Sequence, residues 1–258
     1  MKILRLGHAM YVFTSAAGNK YLIDPFFDMN PGCPEEYTRE SYLKTIDCVF
    51  LTHGHFDHTS GLDKLKEANP EVMVVASYEL ALILMQKGMK NIMPINLGGC
   101  VPFSDVNVTM VQARHSSSYG ETEGAPIYAG ESAGYVFEFD KDQTIYHSGD
   151  TNIMLDMELI QDLYEPTVAI LSSGGHMTMG PREAAYAVKH LLNVGIVIPS
   201  HTFTSKEKAV RPNVLDHLLE AFPVISKMMD KDNDLKELLE DYEQTDVVVL
   251  ECGEERRF

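Results

Sequence analysis

The run Thr52-His53-Gly54-His55-Phe56-Asp57-His58 sets four candidate cation ligands, His53, His55, Asp57 and His58, within six residues. Imidazole nitrogens and a carboxylate suit a borderline cation such as Zn²⁺, at bond lengths of about 2.0 to 2.2 Å. A continuous helix or strand would not aim all four side chains inward. A loop leaving a strand end does, with Gly54 permitting a tight bend. A lone histidine is more often a hydrogen-bonded structural residue, and His190 and His217 are read that way. Crowding four coordinating side chains onto one loop reverses that default, because without a cation their polar groups would go unmet at a cost in stability.

Three further candidates occupy the same topological place. His115 follows the apolar run 108–113, Asp150 follows 145–147, and His201 follows 196–199. Strand ends of an α/β fold gather at one rim, so residues distant in sequence converge there. Asp24, closing the run 21–23, belongs to the same rim and is suited to orient ligands from behind. Seven ligands are too many for one ion and, with a bridging water, complete two sites. Two divalent cations are therefore expected, Zn²⁺ first, with Mn²⁺ or Fe²⁺ as alternatives. His8 and His176 are candidates for binding substrate or protonating a leaving group, with a purely structural role as the competing reading of each. Ser116, Ser117 and Ser118 lie nearby, but no G-x-S-x-G elbow supports a serine nucleophile.

The elements that must position these residues are short. Apolar, β-branched runs at residues 2–6, 11–14, 21–23, 48–52, 72–76 and 106–112 read as strands, and a second series follows at 134–139, 144–147, 168–171, 195–199 and 247–251. Helical spacing appears at 62–68, 79–86, 152–164, 181–192 and 214–221. Asp150-Thr151 and Gly180-Pro181 mark two helix starts. A strand-rich stretch followed by mixed strand and helix, repeated once, predicts two similar halves, each a sheet with helices outside. The expected architecture is an α/β four-layer αββα sandwich. It is read as a single domain over residues 1–258, with a charged, solvated helical insertion at about 205–246.

Composition narrows the function classes. With 258 residues, 45% of them hydrophobic, the chain can bury a large core, which excludes a disordered or fibrous protein. Cys33, Cys48, Cys100 and Cys252 form no C-x-x-C pair, so reduced thiols are expected rather than a disulfide frame or a thiolate metal site. A net charge of -17, from 38 acidic against 21 basic residues, repels phosphate backbones and anionic bilayers. Arg256 and Arg257 make the one basic pair of note. Neither nucleic acid nor membrane is an expected partner; a small-molecule substrate is, and homo-oligomerisation is left open. With no leader pattern and no apolar stretch of about 18 residues, a soluble, cytoplasmic protein is expected.

The H-x-H-x-D-H loop, the Ser148-Gly149-Asp150-Thr151 turn and the Pro199-Ser200-His201 strand end resemble the metallo-β-lactamase superfamily. Within it, Leu6-Gly7-His8, Leu22-Ile23-Asp24-Pro25, Tyr146-His147-Ser148-Gly149-Asp150-Thr151 and Met177-Thr178-Met179-Gly180-Pro181 resemble metal-dependent hydrolases related to the L-ascorbate-6-phosphate lactonases. The likeness runs over residues 1–203 and returns at 247–253. It implies the metallo-β-lactamase sandwich, with His53, His55 and His115 on one metal, Asp57, His58 and His201 on the other, and Asp150 bridging them. Spacing alone does not give that partition. The implied activity is hydrolysis by a hydroxide bridging the two metals, with Asp57 or Asp150 orienting it and taking up its proton. The expected substrate is a small-molecule ester or lactone; a small cyclic or phospholipid-type phosphodiester is the alternative. A diiron redox variant would place a carboxylate where His55 stands, which disfavours that reading. Two departures stand out: Gly175-His176 replaces the Asp-Asn of the relatives, and Thr202 replaces the tyrosine that often follows the last ligand. Both positions are expected to line the substrate pocket. The stretch 205–246 is also longer than the family leads one to expect.

Overall fold

The computed structural model describes residues 1–120, 124–140 and 142–258. Strands β1 (Lys2–Arg5), β2 (Tyr11–Thr14), β3 (Lys20–Ile23), β4 (Cys48–Phe50), β5 (Met73–Ser77) and β6 (Ile92–Ile95) form one sheet in that order. Its first three strands are antiparallel and the rest parallel. The second sheet uses β7 (Cys100–Pro102) and β8 (Val106–Gln112), then, after the short hairpin β9 (Ser118–Tyr119) and β10 (Ile127–Tyr128), strands β11 (Ala133–Phe139), β12 (Thr144–His147), β13 (Val168–Ser172), β14 (Ile196–Ser200) and β15 (Asp246–Val247). Antiparallel pairing again gives way to parallel pairing, at β12. The chain ends by crossing back, so that β16 (Glu255–Arg257) pairs with β1 at the edge of the first sheet.

The pleat explains the layers. Alternate residues of each strand face opposite ways, and here both faces are buried, so the parallel strands read as near-continuous apolar runs. Tyr11, Phe13, Tyr21, Ile23 and Phe50 face Tyr135, Phe137, Ile145, Ile170 and Ile198 in the core between the sheets. Leu22, Val49 and Val74, one residue out of phase, pack with Leu65 of helix α3 (Leu62–Ala68) and Leu80 and Leu84 of α4 (Tyr78–Gln86). Before these come two single helical turns, α1 (Glu40–Leu43) and α2 (Phe56–Thr59). On the far side, Val136, Ala169 and Val197 meet α5 (Asp156–Tyr164) and α6 (Pro181–His190). Helix, sheet, sheet, helix is the predicted four-layer order.

Segment 205–246 is helical, as its spacing predicts: α7 (Pro212–Ala221), a 3₁₀ stretch Pro223–Met228 and α8 (Asp232–Leu238). It is not merely solvated. Leu218, Ile225 and Met228 are buried against Phe26 and Phe203, and Leu235 and Leu239 join the core behind the second sheet. Residues 247–251 depart further from expectation. Only the first residues pair, because the chain must leave the second sheet there to reach β1, with Leu250 O accepting from the buried Arg5. Strands β6 and β7 went unpredicted; each carries a proline, Pro94 or Pro102, tolerated on an outer strand. Among the described residues, no helix is long and apolar enough to cross a membrane.

Candidate metal centre

Every predicted ligand stands at the rim where strands of both sheets end, and the support begins one layer behind. Asp24, just after β3, is fully buried with a left-handed backbone (φ 49°). Its Oδ1 accepts the Thr52 N–H at 2.8 Å and its Oδ2 the Thr52 hydroxyl at 2.7 Å. Oδ2 also lies 2.7 Å from His58 Nδ1, and Thr52 Oγ1 lies 2.9 Å from His53 Nδ1. Asp24 accepting from Nδ1–H of His58, and the Thr52 hydroxyl oxygen from that of His53, orient both rings so that Nε2 faces the centre.

Asp150 is the hub. Its Oδ2 lies 2.7 Å from Nε2 of His201, 3.5 Å from that of His58, 3.7 Å from that of His115 and 4.0 Å from that of His53. Donor atoms of His53, His55 and His115 fall within 4.8 Å of one another, as do those of His53, His58 and Asp150, and those of His8, Asp57, His58 and His201. All seven predicted ligands are thus brought together. Burial disfavours charge on His53, whose pKa falls well below the ordinary value, reinforced by His58 nearby. Burial would raise the carboxyls of Asp57 and Asp150, but the surrounding imidazoles outweigh it and hold both well below the usual range. Burial would likewise lower His58, yet Asp150, Asp24 and Asp57 together push it well up. Three carboxylates on one imidazole leave a negative surplus that a divalent cation would neutralise.

The loop itself is not all irregular. Asp57 and His58 lie in the single turn α2, so their side chains leave the loop on a helical pitch while His53 and His55 precede it. Gly54 is required for space rather than for a bend: a Cβ there would sit 2.5 Å from the carbonyl of Ser118 and 2.7 Å from Cβ of Ala129, in the β9–β10 hairpin region.

A cavity of about 320 Å³ opens onto the cluster. His55, Asp57, His115, Asp150 and His201 form its floor, with Ser116 and Ser118 beside them. Its wall is apolar: Phe222, Val224, Ile225 and Met228 of the helical segment, with Phe56, Met177 and Phe203.

Three candidate residues stand outside the cavity lining. His176 is exposed, with φ 60°, and it is Met177 that lines the cavity, because the left-handed turn at Gly175 and His176 sends successive side chains apart. Thr202 is buried away from the cavity, donating to Asp232 at 2.5 Å and accepting from Arg5 at 2.8 Å. His8 is also buried and does not line the cavity; its Nε2 lies 3.1 Å from Asp57 Oδ2 and its ring stacks on Phe203, with centroids 4.1 Å apart. Burial pushes its pKa down to about 4, which favours the neutral ring beside Asp57. The apolar wall was missed, although Phe222, Val224, Ile225 and Met228 already interrupt the charged stretch in the sequence.

Residues 19–202 match the family model described as beta-lactamase superfamily domain, a span that includes every member of the cluster except His8. The chain belongs to the beta-lactamase superfamily. A UPF0173 metal-dependent hydrolase of Koribacter versatilis is 40% identical over 226 residues, covering 87% of this chain and 94% of the relative. Another, of Myxococcus xanthus, is 42% identical over 196 residues, covering 76% and 68%. Igni18, a metallo hydrolase of the archaeon Ignicoccus hospitalis, matches in structure with TM-score 0.77 and 27% identity, over 100% of this chain and 98% of that one. This member of the superfamily is a metal-dependent hydrolase with the metallo-β-lactamase fold.

Proposed function

We propose that this hydrolase holds two divalent cations, Zn²⁺ first, and cleaves a carboxyl ester or lactone in a small molecule of the cytoplasm. The convergence of four imidazole Nε2 atoms on Asp150 Oδ2, all within 4.0 Å, carries the reading. The donors fit such ions: His58 Nε2 and Asp150 Oδ1 are buried with no hydrogen-bond partner among the described residues, a costly state unless a cation satisfies them. His53, His55 and His115 would hold one ion, and Asp57, His58 and His201 the other, with Asp150 between.

Cations bound there supply Lewis-acid activation of water and of the scissile bond at neutral pH. The protein's own groups do the rest. Asp24 fixes His58 directly and His53 through Thr52. Asp57, at the cavity floor and anchored by His8, would accept a hydrogen bond from the attacking water and orient it. The wall from Phe222 to Met228 excludes bulk water.

Metal analysis after incubation with Zn²⁺, and a panel of lactones, esters, thioesters and phosphodiesters, tests this. About two ions per chain and turnover of a carbonyl ester are expected. Asp150→Ala should lose both ions and turnover, whereas His190→Ala, exposed on α6 against Tyr186, should change neither. No more than trace metal would overturn the reading, and turnover confined to phosphodiesters would shift it to the alternative reaction.

A further inference from the structure

We infer that the acyl part of the substrate is apolar and uncharged, and that residues 222–228 of the helical segment select it. This rests on the proposed reaction centre and names its substrate class. The charged side chains lining the cavity are confined to the metal-centre floor; the remainder is aliphatic, aromatic, thioether or hydroxyl. Among the described lining residues there is no lysine or arginine. A phosphate or carboxylate on the substrate's far end would therefore lose its hydration against a wall that offers no cation, in a protein whose net charge is already -17. An alkyl chain would lose nothing there and would bury surface.

The wall is built rather than incidental. Phe222 stacks on Phe56, with ring centroids 4.8 Å apart and planes 16° from parallel, so the segment is seated on the ligand loop itself. Ile225 and Met228 are buried in one cluster with Phe26 and Phe203. Met177, 48% exposed and also lining the cavity, has an unbranched thioether that adapts to chains of different length. At about 320 Å³ the cavity is at the small end of binding sites, which run from about 300 to 1,000 Å³. A short acyl chain fits within that size.

Two measurements on the Zn²⁺-loaded protein test this. The first is kcat/KM for 4-nitrophenyl acetate, butyrate and hexanoate, and for the 4-nitrophenyl hemiester of succinate. Each added methylene should raise it about fourfold, the factor equivalent to about 0.8 kcal/mol, until the cavity is filled. The succinate hemiester should fall at least tenfold below butyrate. The second measurement needs no turnover: calorimetric binding of acetate, hexanoate and adipate, with hexanoate expected at least tenfold tighter than either. Val224→Lys puts a cation on the wall and should reverse the order of butyrate and the succinate hemiester, with metal content unchanged. Chain-length-independent hydrolysis, or adipate binding as well as hexanoate, would overturn the inference while leaving the hydrolytic reading intact. Selective hexanoate binding without hydrolysis of any ester would support the inference and overturn that reading.

Discussion

Nδ1 of His58 lies 2.7 Å from Oδ2 of Asp24, and both side chains are wholly buried. The same carboxylate holds the Thr52 N–H and hydroxyl, so one residue that touches no substrate sets the direction of two imidazoles. Asp24→Ala should weaken binding of the His58-side ion by about 10- to 100-fold, the usual effect of losing such a partner. The buried Thr52 N–H, left unmet, should cost about 1 to 3 kcal/mol of stability as well. Asp24→Asn, which retains an acceptor, should lose less of both. Metal titration of the two variants, with urea unfolding of the metal-free forms, decides it; equal metal affinity in wild type and Asp24→Ala would contradict the assignment.

The turn after β13 presses on His201. A Cβ on Gly174 would stand 2.0 Å from the carbonyl oxygen of His201, a residue already in the left-handed region at φ 55°. Neither backbone can yield cheaply, so Gly174→Ala should cost about 1 to 3 kcal/mol and displace His201, releasing one ion before the other. Gly195→Ala is the matched control: its nearest neighbour would be the carbonyl of Thr167 at 3.9 Å, and a change within about 0.5 kcal/mol is expected. Thermal unfolding and stepwise metal analysis distinguish the two.

Why the clustered side chains were legible and their surroundings were not follows from the same geometry. A chemistry-bearing residue at the end of an apolar run is visible in one dimension, and that pattern located His115, Asp150, His201 and Asp24 as well as the H-x-H-x-D-H loop. Which way a rim residue turns is a matter of φ. His176 and Thr202 were expected in the pocket, but a left-handed backbone at His176 presents Met177 instead, and at Thr202 a side-chain network draws the hydroxyl inward. The cavity wall depends on Phe222 meeting Phe56 across 166 positions, a contact no local periodicity encodes. Similarly, residues 247–251 have strand composition but form the crossover between sheets, so tertiary context overrides propensity.

Arg5 shows what that network is worth. Its guanidinium, 3% exposed, meets Asp232 through Nη1–Oδ2 at 2.6 Å and Nη2–Oδ1 at 3.2 Å, and donates to Leu250 O and Thr202 Oγ1. Burial opposes its charge, but Asp232 outweighs that and holds it protonated. Removing the carboxylate leaves a buried cation with its main partner gone, so Asp232→Ala should destabilise the fold by about 3 kcal/mol, at the lower end for a buried pair because Asp232 is partly exposed. Arg5→Met combined with Asp232→Leu should recover much of the loss. If the double variant is no more stable than Asp232→Ala, the pair is not the origin of the effect.

His147 supplies a pH dependence with a definite sign. It ends β12 inside the core, its Nδ1 accepting the Gly149 N–H at 3.1 Å and its ring edge-on to Tyr11. Burial pushes its pKa down to about 4, from an ordinary 6.5. Between those values the unfolded chain binds a proton that the folded chain refuses, so the contribution of His147 is intact above about pH 6.5, declines as pH falls toward about 4, and is flat below. The slope for one such group is about 1.4 kcal/mol per pH unit where the difference is a full proton. His8, also lowered to about 4 by burial, adds to the same window, so the metal-free protein should take up more than one proton on unfolding there. His147→Gln retains an acceptor for Gly149 and removes the titration. Urea unfolding of the chelator-treated protein from pH 7 to 4.5 should show a slope shallower by close to one proton in the variant than in wild type. Parallel slopes would mean that His147 is protonated in the folded state at the same pH as in the unfolded chain, contrary to its burial.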